Sequence, residues 1–186
     1  MSINSHIILF NKRLNKSNHD LYQTSSWAIQ VMLTELLSEL KVDWSYLEPC
    51  NGYNVITDVL DQNGFKKVYR LDIDQDCVAD EYVDFLNWEP PELFNCVVMN
   101  PPYKLNNRCE FINKALQVVE DKGLVITLSR ILFVESAKRA DFFKQFPPKY
   151  ILVHKRRLAF GMKSGIGYAW FVFQKGHQGP TILKWI

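Results

Sequence analysis

An α/β fold is what the sequence predicts: a largely parallel sheet of seven strands, helices on both faces, and an antiparallel last strand. Three observations predict it. Short apolar runs alternate with amphipathic helical patterns along most of the chain, which is how parallel strands joined by crossover helices are written. Two of the runs, Leu93–Met99 and Leu124–Leu128, are apolar at nearly every position, as strands buried on both faces are. Tyr150–Val153 and Tyr168–Phe173 follow one another with no helix between them, so they are expected to pair antiparallel.

The composition agrees with a globular chain. Its 186 residues are 47% hydrophobic and 13% aromatic, enough for one domain with a substantial core. A net charge of +2 permits a nucleic-acid partner without requiring one. Cys50, Cys77, Cys96 and Cys109 form no CxxC pair and have no histidine spaced to complete a zinc site, so no metal is expected and a reducing, cytoplasmic setting is. Ile7–Phe10, the longest apolar run near the start, is too short for a signal-peptide core or a membrane span. Residues 1–19 are polar and read as an arm, and residues 20–186 as a single domain.

Taken in order, Thr24, Ser25 or Ser26 can cap a helix whose apolar residues are Trp27, Val31, Leu33, Leu36, Leu37 and Leu40, ending near Lys41. On their own, Asp20, Tyr22 and Thr24 read as a capping turn. Trp44–Leu47 is a strand that runs into Glu48-Pro49-Cys50-Asn51-Gly52-Tyr53-Asn54 and then a helical pattern with Val55, Ile56, Val59 and Leu60. A strand, a small-residue turn and a helix let a ligand approach backbone at a helix N-terminus, though an ordinary βα turn looks the same. Gly52 is the turn's one glycine, and Asn54 tolerates a left-handed conformation. Lys67–Leu71 is the next strand, ending at Asp72, twenty positions after Gly52 and placed to accept bonds from ribose hydroxyls. Asp72 also sits in an acidic stretch with Asp74, Asp76 and Asp80, which fits a solvated surface equally well. A short helix around Cys77–Glu81 leads to a strand near Tyr82-Val83, followed by Asp84-Phe85. After Leu93–Met99 come a helix with Phe111, Ile112, Ala115, Leu116 and Val119 inward, stopped by Gly123, and the strand Leu124–Leu128. Ser136 opens a helix with Ala137, Ala140, Phe143 and Phe146 inward. A basic loop over 154–167 separates the last two strands, and Thr181–Ile186 can add to the sheet edge.

The most informative stretch is Asn100-Pro101-Pro102-Tyr103, just past the carboxyl end of a central strand, where open α/β sheets bind ligands. Each proline disfavours the helical region for the residue before it, and both lack an N–H. The carbonyls of Asn100 and Pro101 therefore need not be consumed by local turns. The Asn100 amide oxygen and the Pro101 carbonyl form a paired acceptor, and Tyr103 adds a stacking face. Such a set suits a planar aromatic amine. Chance alone gives this tetrapeptide in roughly one chain in a thousand of this length.

The order of these features resembles the class I S-adenosylmethionine-dependent amino-methyltransferases, most closely the small phage-type DNA N6-adenine methyltransferases. Asp20-x-Tyr22-x-Thr24 with Trp27, Leu47–Gly52, Leu71–Asp74, Asp84-Phe85, Asn100–Tyr103, Arg157–Phe160 and Tyr168–Phe173 carry the likeness, from about Asp20 to the C-terminus. Asn54 departs from it, standing where that family usually has glycine. The resemblance implies a Rossmann-like methyltransferase fold, S-adenosyl-L-methionine as cofactor, and transfer of methyl to the N6 amine of adenine in DNA, with the base flipped out or single-stranded. It also implies roles for residues. Tyr22 and Thr24 would contact the methionine part of the cofactor, and Glu48, Cys50 and Gly52 its amino-acid end. Asp72 would hold the ribose with Ile73 beside it, and Asp84 with Phe85 the adenine. Asn100, Pro101, Pro102 and Tyr103 would be catalytic, Asn100 also lying against the cofactor.

Tyr103, Lys104, Arg156, Arg157 and Phe160 would meet the substrate; read alone, the basic residues also fit a solvated surface. No stretch is left for a separate target-recognition domain. RNA bases (adenine N6 or guanine N2) present the same demand as DNA adenine, and a cofactor-binding, non-catalytic subunit of a larger complex is a third reading.

Overall fold

A computed structural model describes residues 24–102, 108–158 and 167–186. One eight-stranded sheet carries the fold, in the order β3-β2-β1-β4-β5-β7-β6-β8. Its strands are β1 Tyr46–Glu48, β2 Val68–Asp72, β3 Glu81–Tyr82, β4 Phe94–Met99, β5 Val119–Arg130, β6 Tyr150–Val153, β7 Tyr168–Gln174 and β8 Ile182–Trp185. The helices are α1 Ser26–Glu35, α2 Val55–Gln62, α3 Arg108–Val118 and α4 Ala137–Gln145. Strands β1 to β5 pair parallel with their neighbours, and β7 lies antiparallel between β5 and β6.

Side chains alternate across the sheet and build a core on each face. Cys96 and Val98 of β4 join Leu152, Trp170 and Val172 under Ala28, Ile29 and Met32 of α1 and Leu60 of α2. Val97 and Met99 join Ile151, Phe171 and Phe173 under Phe111, Ile112 and Ala115 of α3, with Phe142, Phe143 and Phe146 packed against them from α4 and its C-cap. The buried Trp170 indole donates to the Ala28 carbonyl at 3.1 Å, fixing α1 to the middle of the sheet.

Four expectations need correction. The sheet has eight strands rather than seven: the C-terminal segment forms β8, parallel to β6, so the antiparallel strand is the seventh and not the last. Of the predicted stripe, Leu33, Leu36 and Leu40 are buried, but Trp27 is 42% exposed and Leu37, past the helix end, 67%; Ala28, Ile29 and Met32 of α1 are buried in their place. No helix forms at 77–81. Asp72 Oδ1 accepts from Asp74 N at 2.9 Å and Asp74 Oδ1 from Asp76 N at 3.0 Å, and such local bonds offer the backbone an alternative to helix. Finally, α3 ends at Val118 rather than at Gly123. The chain turns at Lys122 (φ 62°) and at Gly123, where a Cβ would lie 2.8 Å from the Glu120 carbonyl oxygen.

All four cysteines are free. Among the described residues no helix is long and apolar enough to cross a membrane.

Candidate active site

The parallel strands β1, β2 and β4 end on one side of the sheet, and the predicted residues collect there. Glu48 closes β1, and the chain turns through Gly52 (φ 55°) and Asn54 (φ 68°) into α2. Glycine has no Cβ to resist this conformation, and asparagine is among the few side chains that accept it. The turn is tied to its neighbours: Gly52 N donates to Asp72 Oδ2 at 2.8 Å, Asn51 N to the Leu71 carbonyl at 3.0 Å, and Val78 N to the Gly52 carbonyl at 3.1 Å. Asp72, at the end of β2, is buried and holds the turn from across the crevice.

Behind the turn lies a buried polar chain. Asn51 Nδ2 donates to the Val78 carbonyl at 2.6 Å and to Asn54 Oδ1 at 3.0 Å. The other end of the amide, Oδ1, lies 3.0 Å from Thr57 Oγ1 and can only accept. Thr57 Oγ1 also lies 2.7 Å from Glu48 Oε2. A hydroxyl has one proton to give, and Glu48 Oε2 and Asn51 Oδ1 share the one donor between them. Glu48 is 1% exposed, and burial, with Asp72 and Asp58 nearby, drives its pKa well above the usual carboxylate range despite the Thr57 bonds. Through Thr57 N and Oγ1, the Glu48 side chain anchors the first turns of α2.

Asn100 follows β4 directly, with Pro101 buried and Pro102 half-buried behind it. Its amide nitrogen donates to Thr24 Oγ1 at 3.0 Å, which turns the acceptor end, Oδ1, away from Thr24. Thr24 and Asn100, 76 positions apart, are thus brought into contact. Cys50 lies between the two halves of the crevice. Burial pushes its thiol up, the carboxylates of Asp72, Glu48 and Asp84 add to this, and the Arg108 guanidinium opposes it.

Other predicted residues are placed differently. Asp84 caps the 3-10 turn Phe85–Asn87, accepting from Leu86 N at 3.0 Å and from Asn87 Nδ2 at 2.8 Å. The Phe85 ring is 2% exposed and packs on Phe111 with centroids 5.9 Å apart, so it faces the core. Ile73 is 56% exposed beyond the end of β2. Arg156 and Arg157 are exposed on the segment after β6. Tyr22, Tyr103, Lys104 and Phe160 lie outside the described residues.

Arg108 ends the polar stretch 104–108, which in the sequence reads as a loop able to meet the substrate, and its partners in the site are not foreseen there. Its guanidinium donates to the Leu128 carbonyl at 2.9 Å and to Ser129 Oγ at the end of β5. The same group reaches the Pro101 carbonyl at 3.4 Å and the Pro102 carbonyl at 3.3 Å, both long bonds. Of the two carbonyls expected to stay clear of local turns, that of Pro101 thus has a partner in Arg108, though it keeps a second lone pair. A signal was present: Arg108 opens α3, where the helix dipole disfavours a cation.

No family model matches the sequence, and no curated protein matches it. Solved structures do resemble it. A protein from Listeria monocytogenes described as a candidate class I S-adenosylmethionine-dependent methyltransferase superposes with a TM-score of 0.67 at 17% identity, over 92% of this chain and 67% of that one. A Pyrococcus horikoshii protein described as a candidate RNA methyltransferase gives 0.66 at 15% identity, over 84% and 87%. The M protein of the type I restriction enzyme EcoKI gives 0.61 at 13% identity, over 87% of this chain and 45% of that one, so the chain spans less than half its length. The fold is the Rossmann-like fold of the class I methyltransferases, with one strand added at the edge.

Proposed function

We propose that the chain binds S-adenosyl-L-methionine and transfers its methyl group to the exocyclic N6 amine of adenine in DNA, the base being flipped out or single-stranded. The observation that carries this reading is Asn100. It stands at the end of β4 with its amide nitrogen bonded to Thr24, which leaves Oδ1 as the amide's accepting end, one residue before Pro101.

The chemistry of the residues around the turn supports this cofactor. Gly52 offers backbone without a Cβ at the end of β1, Asp72 brings a buried carboxylate across from it, and Thr24 touches Asn100 at the junction. When bound, S-adenosylmethionine supplies a sulfonium methyl, whose C–S bond breaks as the N–C bond forms. What the protein contributes is position and acceptors. Adenine's amine lone pair is delocalised into the ring. Accepting its two N–H groups at Asn100 Oδ1 and the Pro101 carbonyl favours a pyramidal nitrogen with the lone pair directed outward. The methylated nitrogen is acidic enough to release its proton to water without a strong base. Tyr103 stacks on the base, worth roughly 1–3 kcal/mol.

RNA is the second reading, supported by the Pyrococcus horikoshii protein, whose length this chain largely spans. Pure protein incubated with labelled cofactor and DNA, RNA or protein separates the readings, including that of a non-catalytic subunit, which would label none. We expect label in DNA adenine, nearly abolished in Asn100→Ala, largely kept in Tyr103→Phe and much reduced in Tyr103→Ala. Methylation at the normal rate by Asn100→Ala would overturn the mechanism.

A further inference from the structure

We propose that Trp27, backed by His154, is a stacking platform for an unpaired base flanking the target, with Lys155, Arg156 and Arg157 holding the adjoining phosphates. The inference rests on the nucleic-acid reading above and adds where, and in what form, the strand is held.

Trp27 lies in the first turn of α1, three residues from Thr24, and leaves 42% of its surface exposed although it is the largest apolar side chain on the helix. Its ring leans on His154, with centroids 5.6 Å apart and planes at 41°. His154 follows β6, is 9% exposed, and neither ring nitrogen has a hydrogen-bond partner among the described residues. Burial lowers its pKa to about 4, so at neutral pH it is an uncharged, flat support. A buried polar group without a partner costs stability, and its position beneath an exposed tryptophan calls for a role other than packing.

The three residues that follow are cations, all exposed, and none makes an ion pair among the described residues. They are held in place: Lys155 N donates to the Ile186 carbonyl at 2.7 Å, and Leu158 is buried just after them. An exposed ring beside exposed cations is how single strands are gripped without reading sequence, by stacking and phosphate contacts. The geometry also suits the target site. β4 and β6 are three sheet positions apart, so the platform lies roughly 14 Å from the end of β4. That is about four stacked nucleotides at 3.4 Å each, and fewer in a drawn-out strand.

Binding of a single-stranded oligonucleotide as DNA, as RNA and as a DNA duplex tests this, with tryptophan fluorescence as a second readout. Trp27→Ala is expected to weaken single-strand binding by about tenfold or more and leave duplex binding little changed. Trp27→Phe should bind within about threefold of wild type while losing the fluorescence quenched by stacked bases. Arg156→Glu with Arg157→Glu should flatten the salt dependence, and tighter binding of one sugar type names the natural strand. Single-strand binding by Trp27→Ala within twofold of wild type, or no single-strand binding by wild type, overturns the platform. Calorimetry with S-adenosylmethionine runs alongside: absence of cofactor binding by wild type overturns the methyltransferase reading, while the Trp27 effects stand or fall on their own.

Discussion

Replacing Thr57 by valine tests the buried chain behind the glycine turn. Valine keeps the shape and removes the hydroxyl, which leaves Asn51 Oδ1 and Glu48 Oε2 without their shared donor. Each buried polar group left unpaired costs about 1–3 kcal/mol, so the pair is expected to cost roughly 2–6 kcal/mol. The lower half of that range applies, because Asn51 and Glu48 keep their other partners. Guanidinium unfolding at pH 7 reads this as a midpoint lower by about 1 M, and Thr57→Ser should recover most of it. The same chain has a pH signature. Glu48 has a folded pKa above its unfolded one, so the folded state binds the extra proton. Its stabilising effect is full below the unfolded pKa and is lost as pH rises through the folded one. Glu48→Gln removes that titration. If Thr57→Val unfolds within 0.5 kcal/mol of Thr57→Ser, the hydroxyl does not hold the chain together, and if Glu48→Gln keeps the wild-type pH slope, the raised Glu48 pKa is wrong.

Arg108→Lys is expected to lower kcat by about 10- to 100-fold with cofactor affinity unchanged, since an ammonium cannot reproduce the guanidinium fork that holds two strand ends; loss of cofactor binding together with kcat would point to general unfolding. His154 has a folded pKa of about 4 against an ordinary 6.5, so below pH 6.5 the unfolded state takes up the proton first and stability falls with pH. At about 1.4 kcal/mol per pH unit the loss reaches about 3 kcal/mol near pH 4. Thermal unfolding of His154→Leu across that window should show a correspondingly shallower loss than wild type.

Much of this was legible in the sequence, for identifiable reasons. β4, β6 and β7 were read almost to the residue because strands buried on both faces are written as continuous apolar runs. The left-handed turn was legible in Gly52 and Asn54, two residues that tolerate it. The face of α1 was misread because Trp27 and Leu37 look like core residues, and only the packing of Ala28 beneath the Trp170 indole shows which stripe is inward. The partners of Arg108 were not legible at all: Leu128 and Ser129 lie 20 and 21 positions away, and only the pairing of β4 with β5 brings them to the tetrapeptide.

That pairing leads to a prediction about how the acceptor corner works. Thr24 holds Asn100 from the helix on one face of the sheet, and Arg108, at the start of the helix on the other face, reaches the Pro101 and Pro102 carbonyls. An amine with two N–H groups needs both acceptors at a fixed spacing, so either tether alone is not enough. Thr24→Ala and Arg108→Ala should each reduce kcat, and the double variant should lose less than the two effects combined, because the spacing is already lost after the first change. The expected coupling is about 1 kcal/mol or more, from a double-mutant cycle on kcat with cofactor affinity measured for each variant. Residues on opposite faces that do not share an element normally add to within about 0.5 kcal/mol. Additivity within that margin would mean that Thr24 and Arg108 act separately and that the corner is not one rigid unit.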